Sequence, residues 1–157
     1  MQETDPARAI ACLRDPDARI REQAAWNLGL LGCSDAVDAL IGVLRDDQPC
    51  VREKAAWSLG LAGDRRAIDP LIAALADADP RVRERSAWAL GLKGDTRAVE
   101  PLLGRLADED PGVREQAAWA LGLRGDRRAM GPLTSAAADQ NPQVRDMATW
   151  AIGMLDE

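Results

Sequence analysis

The sequence predicts an all-α protein, a right-handed α–α superhelix of about five two-helix repeats, and three observations carry that prediction. Tryptophans stand at positions 26, 57, 88, 119 and 150, each 31 residues from the next. A fixed period between about 20 and 50 residues marks a repeat array. Within each period apolar residues recur at i, i+3, i+4 and i+7, the spacing of one helical face. No segment alternates polar and apolar residues as a half-buried strand would. Residues 1–157 are therefore read as one domain, with repeats at approximately 1–31, 32–62, 63–93, 94–124 and 125–157.

Each repeat begins with a helix A, expected near 5–14, 35–45, 66–76, 97–107 and 128–138. Val37, Leu40, Ile41 and Leu44 form its apolar stripe, repeated as Ile68, Leu71, Ile72 and Leu75. Pro70, Pro101 and Pro132 fall inside that pattern. A proline removes a backbone donor and clashes with the preceding turn, so helix A should be kinked or should start late. Helix B follows, near 17–31, 48–62, 79–93, 110–124 and 141–155. Val51, Ala55 and Leu59, then Val82, Ser86 and Leu90, lie on one face of it. Asp79-Pro80 and Asp110-Pro111 place a capping acid before a proline at the first helical position. Gln48-Pro49 and Asn141-Pro142 are variants, and the first repeat shifts its proline to Pro16 and caps with Asp17. Gly32, Gly63, Gly94 and Gly125 are expected to close helix B in the left-handed conformation. Asp64, Asp95 and Asp126 follow at once, placed to cap the next helix A. One A/B pair cannot bury its apolar face alone, so the repeats must stack.

The stretch Pro80-Arg-Val-Arg-Glu-Arg-Ser-Ala-Trp-Ala-Leu-Gly-Leu-Lys-Gly-Asp-Thr-Arg-Ala-Val-Glu-Pro-Leu-Leu103 resembles the short HEAT repeat known as the PBS-lyase HEAT-like repeat. The resemblance covers nearly the whole chain and implies a HEAT-like α-solenoid. That family includes bilin lyase subunits, protein-interaction scaffolds and engineered binding proteins, so the fold alone assigns no job. The resemblance implies that B helices line the concave face. It also implies that Arg21, Arg52, Arg83, Arg114 and Arg145 are structural and pair with Asp46, Asp77, Asp108 and Asp139. Three departures stand out. Helix A of repeat five is thin, with Thr134, Ser135, Ala136 and Ala137; Cys33 replaces the usual aspartate; and Met154-Leu155-Asp156-Glu157 brings no polar capping helix.

At about 100° per residue, Ile20, Leu28 and Leu31 share the core face with Ala24, and Trp26 lies almost opposite. Three parallel rows then cross the back of the B helices. The acidic row is Glu22, Glu53, Glu84, Glu115 and Asp146; the indole row is Trp26, Trp57, Trp88, Trp119 and Trp150; the aliphatic row is Leu30, Leu61, Leu92, Leu123 and Met154. A variable column flanks them, Gln23, Lys54, Arg85, Gln116 and Met147, and Gly29, Gly60, Gly91, Gly122 and Gly153 leave room beside each indole. The indoles serve either as lateral packing over those glycines or as a binding surface. Five rings at roughly 150–250 Å² each exceed the roughly 300–600 Å² of the largest apolar patch on a typical monomer. Helix spacings of roughly 10 Å make a stripe about 40 Å long, the length of a partner helix of about 25 residues. Carboxylates beside the indoles favour a protein or peptide that is apolar with basic edges, aided by cation–π contacts. A second copy of the chain is another candidate partner.

Charge and composition narrow the remaining classes. The net charge is −6, from 20 basic and 26 acidic residues, opposite in sign to a phosphate-contacting protein. A nucleic-acid partner is not expected, nor is a DNA-binding HEAT protein with a basic concave surface. There is no histidine, which removes the commonest general base and metal ligand and the iron-binding His-Glu motif of HEAT-like hydroxylases. No cofactor, metal site or catalysis is expected. Cys12, Cys33 and Cys50 lack zinc spacing and form no disulfide framework. Cys50 lies between the Trp and Leu rows, where a thiol holding a bilin is weighed against an ordinary small residue. No apolar run is long enough to span a membrane, and Met1-Gln2-Glu3-Thr4-Asp5-Pro6 lacks a signal-peptide layout, so a cytoplasmic protein without a membrane partner is expected. The expected function is a non-catalytic interaction module. The alternatives are a bilin (phycobilin) lyase or chromophore-chaperone subunit, and a self-associating or engineered repeat protein.

Overall fold

A computed structural model describes residues 5–156. The N-terminal Met1-Gln2-Glu3-Thr4, on which the export reading partly rests, and Glu157 lie outside the described residues. Among the described residues there are ten α-helices and no strand. The chain is a right-handed α–α superhelix, an α-solenoid.

The A helices are α1 (Pro6–Cys12), α3 (Val37–Val43), α5 (Ile68–Ala74), α7 (Val99–Arg105) and α9 (Met130–Ala136). The B helices are α2 (Ala18–Leu31), α4 (Pro49–Leu61), α6 (Pro80–Lys93), α8 (Pro111–Arg124) and α10 (Pro142–Asp156). From α3 onward each A helix is shorter than the periodicity predicts: it ends about two residues early and starts about two late, because a separate 3-10 turn precedes it, Ser34–Ala36, Arg65–Ala67, Thr96–Ala98 and Arg127–Ala129. The late start thus occurs, and Pro70, Pro101 and Pro132 fall in the first α turn, where a missing N–H costs least. Proline is not its cause, since Ala39 occupies the same place in α3 and the boundary is unchanged.

Helix ends follow the capping residues. Asp17, Asp79 and Asp110 accept from backbone N–H groups of the B helices they precede, and Asn141 Oδ1 accepts from Gln143 and Val144. Gln48 makes no such bond. Asp64, Asp95 and Asp126 cap the 3-10 turns, and Cys33, in the equivalent place, does not. Gly32, Gly94 and Gly125 close their helices with φ of 58°, 60° and 66°. Gly63 departs from this pattern. α4 stops at Leu61, Ala62 is extended, and its outward-turned carbonyl accepts from the Lys93 ammonium of the next repeat.

Consecutive B helices pack directly on one another, whereas consecutive A helices touch mainly through their B partners. The core lies between the layers. Leu28, Leu59, Leu90 and Leu121 from the B helices meet Leu40, Leu71, Leu102 and Leu133 from the A helices, all buried. Ile20 and Leu31, expected on the core face, are instead exposed. Their angular position is correct, since Val51, Val82, Val113 and Val144, equivalent to Ile20, are fully buried. What buries those valines is the preceding repeat. One core position is chemically mismatched: Ser86 stands where Ala24, Ala55, Ala117 and Ala148 stand, and its buried hydroxyl has no hydrogen-bond partner. A buried unpaired hydroxyl costs about 1–3 kcal/mol. Ser86→Ala is therefore expected to stabilise the protein by about 1 kcal/mol, read as a rise in urea midpoint at constant slope; a fall would mean an unseen partner.

The repeats are clamped by an Arg–Asp ladder. Arg83 Nε and Nη2 donate to the two carboxylate oxygens of Asp108 in the next repeat at 3.0 and 2.9 Å. Arg83 Nη1 donates to the Asp77 carbonyl of its own A–B turn at 2.9 Å. Asp108 Oδ1 also accepts from the Asp110 N–H at 3.0 Å, holding its turn. Arg21–Asp46, Arg52–Asp77 and Arg114–Asp139 repeat this geometry. Arg145 keeps only the carbonyl half, on Asp139 and Gln140. A second, outer ladder runs along the A helices, where Arg66, Arg97 and Arg128 bridge their own capping aspartates to Asp38, Asp69 and Glu100 of the preceding repeat.

Candidate partner-binding face on the B helices

The 31-residue period brings like residues to like places on α2, α4, α6, α8 and α10, so the three rows become parallel rails. The aliphatic rail, Leu30, Leu61, Leu92, Leu123 and Met154, is exposed along its whole length. The indole rail is not uniform. Trp26 and Trp150 are exposed, while Trp57, Trp88 and Trp119 are half-buried. The difference follows position in the stack: Trp57, Trp88 and Trp119 have a B helix on both sides, Trp26 and Trp150 on one. A Cβ at Gly29, Gly60, Gly91 or Gly122 would lie 2.6, 2.7, 2.6 or 2.7 Å from Cζ3 of Trp57, Trp88, Trp119 or Trp150 respectively. Each indole thus lies across the glycine of the preceding B helix and spends one face on lateral packing. Open indole area is below the sum for five free rings, and the aliphatic rail supplies much of the open apolar surface. Trp26 instead stacks on Trp57, with centroids 4.3 Å apart and planes 9° from parallel.

The acidic rail divides into two halves. Glu22 and Glu53 meet neighbours from this chain. Glu53 Oε1 is 3.8 Å from Lys54 Nζ and 3.7 Å from Arg85 Nη2. The same two cations lie near indole rings, Lys54 Nζ at 5.6 Å from the Trp26 centroid and Arg85 Cζ at 5.5 Å from that of Trp88. Beside Glu22, Cys50 is poorly suited to nucleophilic work: burial, and then the Glu22 carboxylate, push its thiol above its ordinary value, and the thiolate is the reactive form.

Glu84 and Glu115 form the other half. Burial raises the Glu84 pKa above the ordinary value, and Asp110, Glu115 and Glu53 add to the rise against the opposing charge of Arg85. Glu84 Oε2 points at Gly112, where a Cβ would come within 2.8 Å of it. Equivalent positions carry Cys50, Arg81 and Gln143, so here the rail lacks a facing side chain from the next repeat. The flanking column beside Glu115 is also uncharged, Gln116 and Met147. The structure therefore brings together all fourteen residues expected to bind a partner, Glu22, Glu53, Glu84 and Glu115 with the indole and aliphatic rails, on one face. The sequence reading missed how Lys54 and Arg85 occupy the first half of that face. Their signal was present in the variable column, which is cationic in repeats two and three only.

Among the described residues no group of three metal-ligating side chains converges, and no helix is long and apolar enough to cross a membrane.

The HEAT-repeat family profile matches residues 6–79 and again residues 68–153. The chain belongs to the HEAT-repeat family. Among solved structures this HEAT-repeat protein is similar to the complex of CpcE and CpcF of phycocyanin lyase from Nostoc sp. PCC7120, at 30% identity and a TM-score of 0.89. That similarity covers 99% of this chain and 66% of that one, and it places these repeats in the short, PBS-lyase HEAT-like class. A designed armadillo repeat protein in complex with the peptide (KR)4 is similar at 18% identity and a TM-score of 0.77, over 94% of this chain and 80% of that one. An engineered protein reaches 19% identity and a TM-score of 0.76, over 96% and 79%. These two likenesses bear on the fold alone. No curated protein matches the sequence.

Proposed function

We propose that this HEAT-repeat protein is a cytoplasmic, non-catalytic interaction module that binds an apolar, basic-edged helical segment of a partner protein along the B-helix face. One observation carries the reading: apart from Ile20 and Leu31 at the N-terminal end, every large hydrophobic residue exposed among the described residues lies on the indole or aliphatic rail. Leu61, Leu92 and Leu123 would take the partner's apolar side chains, and the Trp edges beside them would widen the contact. Glu84 and Glu115 would take its basic residues, because neither forms an ion pair among the described residues and Gly112 leaves the Glu84 carboxylate without a facing side chain. The CpcE–CpcF complex, a pairing of two proteins on this kind of fold, and the armadillo design with a Lys/Arg peptide agree with a protein or peptide partner.

The test is titration of a synthetic helical peptide of about 25 residues, leucines on one face and arginines at its edges, read by calorimetry and Trp emission. Replacing both carboxylates, Glu84→Gln with Glu115→Gln, is expected to weaken binding at least about tenfold, or about 1.4 kcal/mol, and to flatten its salt dependence. The fold should not suffer. A raised folded-state pKa means that ionised Glu84 opposes folding at neutral pH and that the cost is relieved as pH falls through that pKa. Affinity that survives both the carboxylate pair and Leu92→Asp with Leu123→Asp would remove this face from the binding site.

A second reading, a bilin lyase or chromophore-chaperone subunit, is supported by the 30% identity to the phycocyanin lyase structure. It predicts that a linear tetrapyrrole quenches Trp emission and shifts its own visible absorption on mixing. No change with excess pigment would count against it.

A further inference from the structure

The two ends of the solenoid carry the unmatched halves of one interface. At the N-terminal end Ile20 and Leu31 are 41% and 45% exposed, although Val51 and Ala62, their equivalents in the next repeat, are 0% and 7% exposed. Asp15 holds the place of Asp46, Asp77, Asp108 and Asp139, each of which accepts a bidentate arginine from the repeat before. The Asp15 carboxylate accepts only the Asp17 N–H among the described residues. Trp26 lies across no glycine, whereas each later indole does.

The C-terminal end supplies each missing part. Arg145 donates through Nη1 to the Asp139 and Gln140 carbonyls, as the other ladder arginines do to their own turns, and has no carboxylate partner among the described residues. Gly153 is the one glycine of its column with nothing within 4 Å of a Cβ built on it. Thr149 is exposed where Ala25, Ala56, Ala87 and Ala118 are buried under the following B helix. Inside the chain Ser58 donates across this boundary to the Ala25 carbonyl at 2.6 Å, and Asn27, the Ser58 equivalent at the open N-terminal end, carries a donor to repeat that bond on Thr149.

We propose that a second copy of this chain docks head to tail, its first repeat on the fifth repeat of its neighbour, in the register that links successive repeats within one chain. Arg145 of one copy takes Asp15 of the next, Trp26 seats on Gly153, and Ile20 and Leu31 are covered. The complementarity is directional, a guanidinium fork at one end and a carboxylate at the other, so the contact is heterologous and extends into chains instead of closing as a two-fold dimer. This assembly gives Trp26 and Trp150 the neighbours that the inner indoles have, leaves Leu61, Leu92, Leu123, Glu84 and Glu115 untouched, and does not rest on the peptide-binding reading.

The experiment is sedimentation velocity of the full chain across a wide concentration series, with far-UV circular dichroism and melting as the fold control. The average mass is expected to more than double from the dilute to the concentrated end, without a plateau at two copies. Asp15→Arg and Arg145→Asp should each hold the protein near one chain mass, and mixing the two variants should give a species of two chain masses, because Arg145 of the first then meets Asp15 of the second. Ile20→Glu, which leaves the turn hydrogen bonds intact, should also block growth. A single chain mass at every concentration overturns the proposal. So does association of the unaltered chain that stops at two copies, or growth that persists in both charge-reversed variants.

Discussion

Arg83→Ala should lose about 3–5 kcal/mol, the cost of removing one member of a buried, hydrogen-bonded ion pair. Arg83 and Asp108 are the most enclosed pair of the inner ladder, 6% and 8% exposed, and the truncation strands the carboxylate together with two turn carbonyls. Arg145→Ala is the built-in comparison. It removes the same side chain and the same pair of carbonyl bonds, with no carboxylate partner among the described residues and far greater exposure, so it should cost about 1 kcal/mol or less. The loss at Arg83 falls on the boundary between repeats three and four. Stability in such arrays is nearly a sum of repeat and nearest-neighbour terms, so unfolding in urea should broaden or divide into two steps. The pair also sets an acid limit. Burial pushes the Asp108 carboxyl up, but Arg83, the Asp110 N–H and Arg105 outweigh it and hold the pKa below the ordinary carboxylate value. Its stabilisation is thus complete above about pH 4 and is lost as pH falls through the lower folded-state value; Arg83→Ala should flatten that acid dependence. Equal losses for Arg83→Ala and Arg145→Ala would show that the carboxylate contact contributes nothing.

Much of this organisation is legible in one line of sequence because the repeat prints it five times. Helix B ends within a residue or two of the expected positions, since Asp-Pro starts and Gly stops are local chemistry. Helix A is less legible. Its hydrophobic period runs unbroken through the 3-10 turn, and periodicity reports which face is buried, not which hydrogen bonds form. Ile20 and Leu31 show a second limit: helical angle tells which way a side chain points, while burial depends on whether another repeat lies there. The outer ladder was readable in principle, for Arg66, Arg97 and Arg128 each have an acid 28 residues earlier, at Asp38, Asp69 and Glu100. The division of the acidic rail was readable in part, from Lys54 and Arg85 in the variable column, whereas the raised Glu84 pKa depends on Asp110 and Glu115, which only the fold brings close.

Gly91 and Gly153 occupy the same position in their repeats, and alanine at each should move stability in opposite directions. In an exposed helix interior Gly→Ala gains up to about 1 kcal/mol from backbone propensity. Gly153 lies in α10 with open space around its Cα, so Gly153→Ala should stabilise the dilute protein by about that amount. Gly91 lies in α6 beneath Trp119. A Cβ there would come within 2.6 Å of Cζ3, 3.0 Å of Cε3 and 3.0 Å of the Ala120 Cβ. The indole cannot swing clear without opening the contact between α6 and α8, and the Ala120 Cβ is fixed rigidly to the α8 backbone. Overpacking of a close-packed boundary costs about 1–3 kcal/mol, which outweighs the propensity gain, and Gly91→Val should reach the upper end of that range. Displacing Trp119 should also shift the emission of the folded protein toward the red. The cause is tested by coupling: with Trp119→Ala in the background the clash partner is gone, so Gly91→Ala should recover most of its loss. Were Gly91→Ala to cost as much without the indole as with it, the seat would belong to the backbone of α8, and the tryptophan row would be left as surface for a partner.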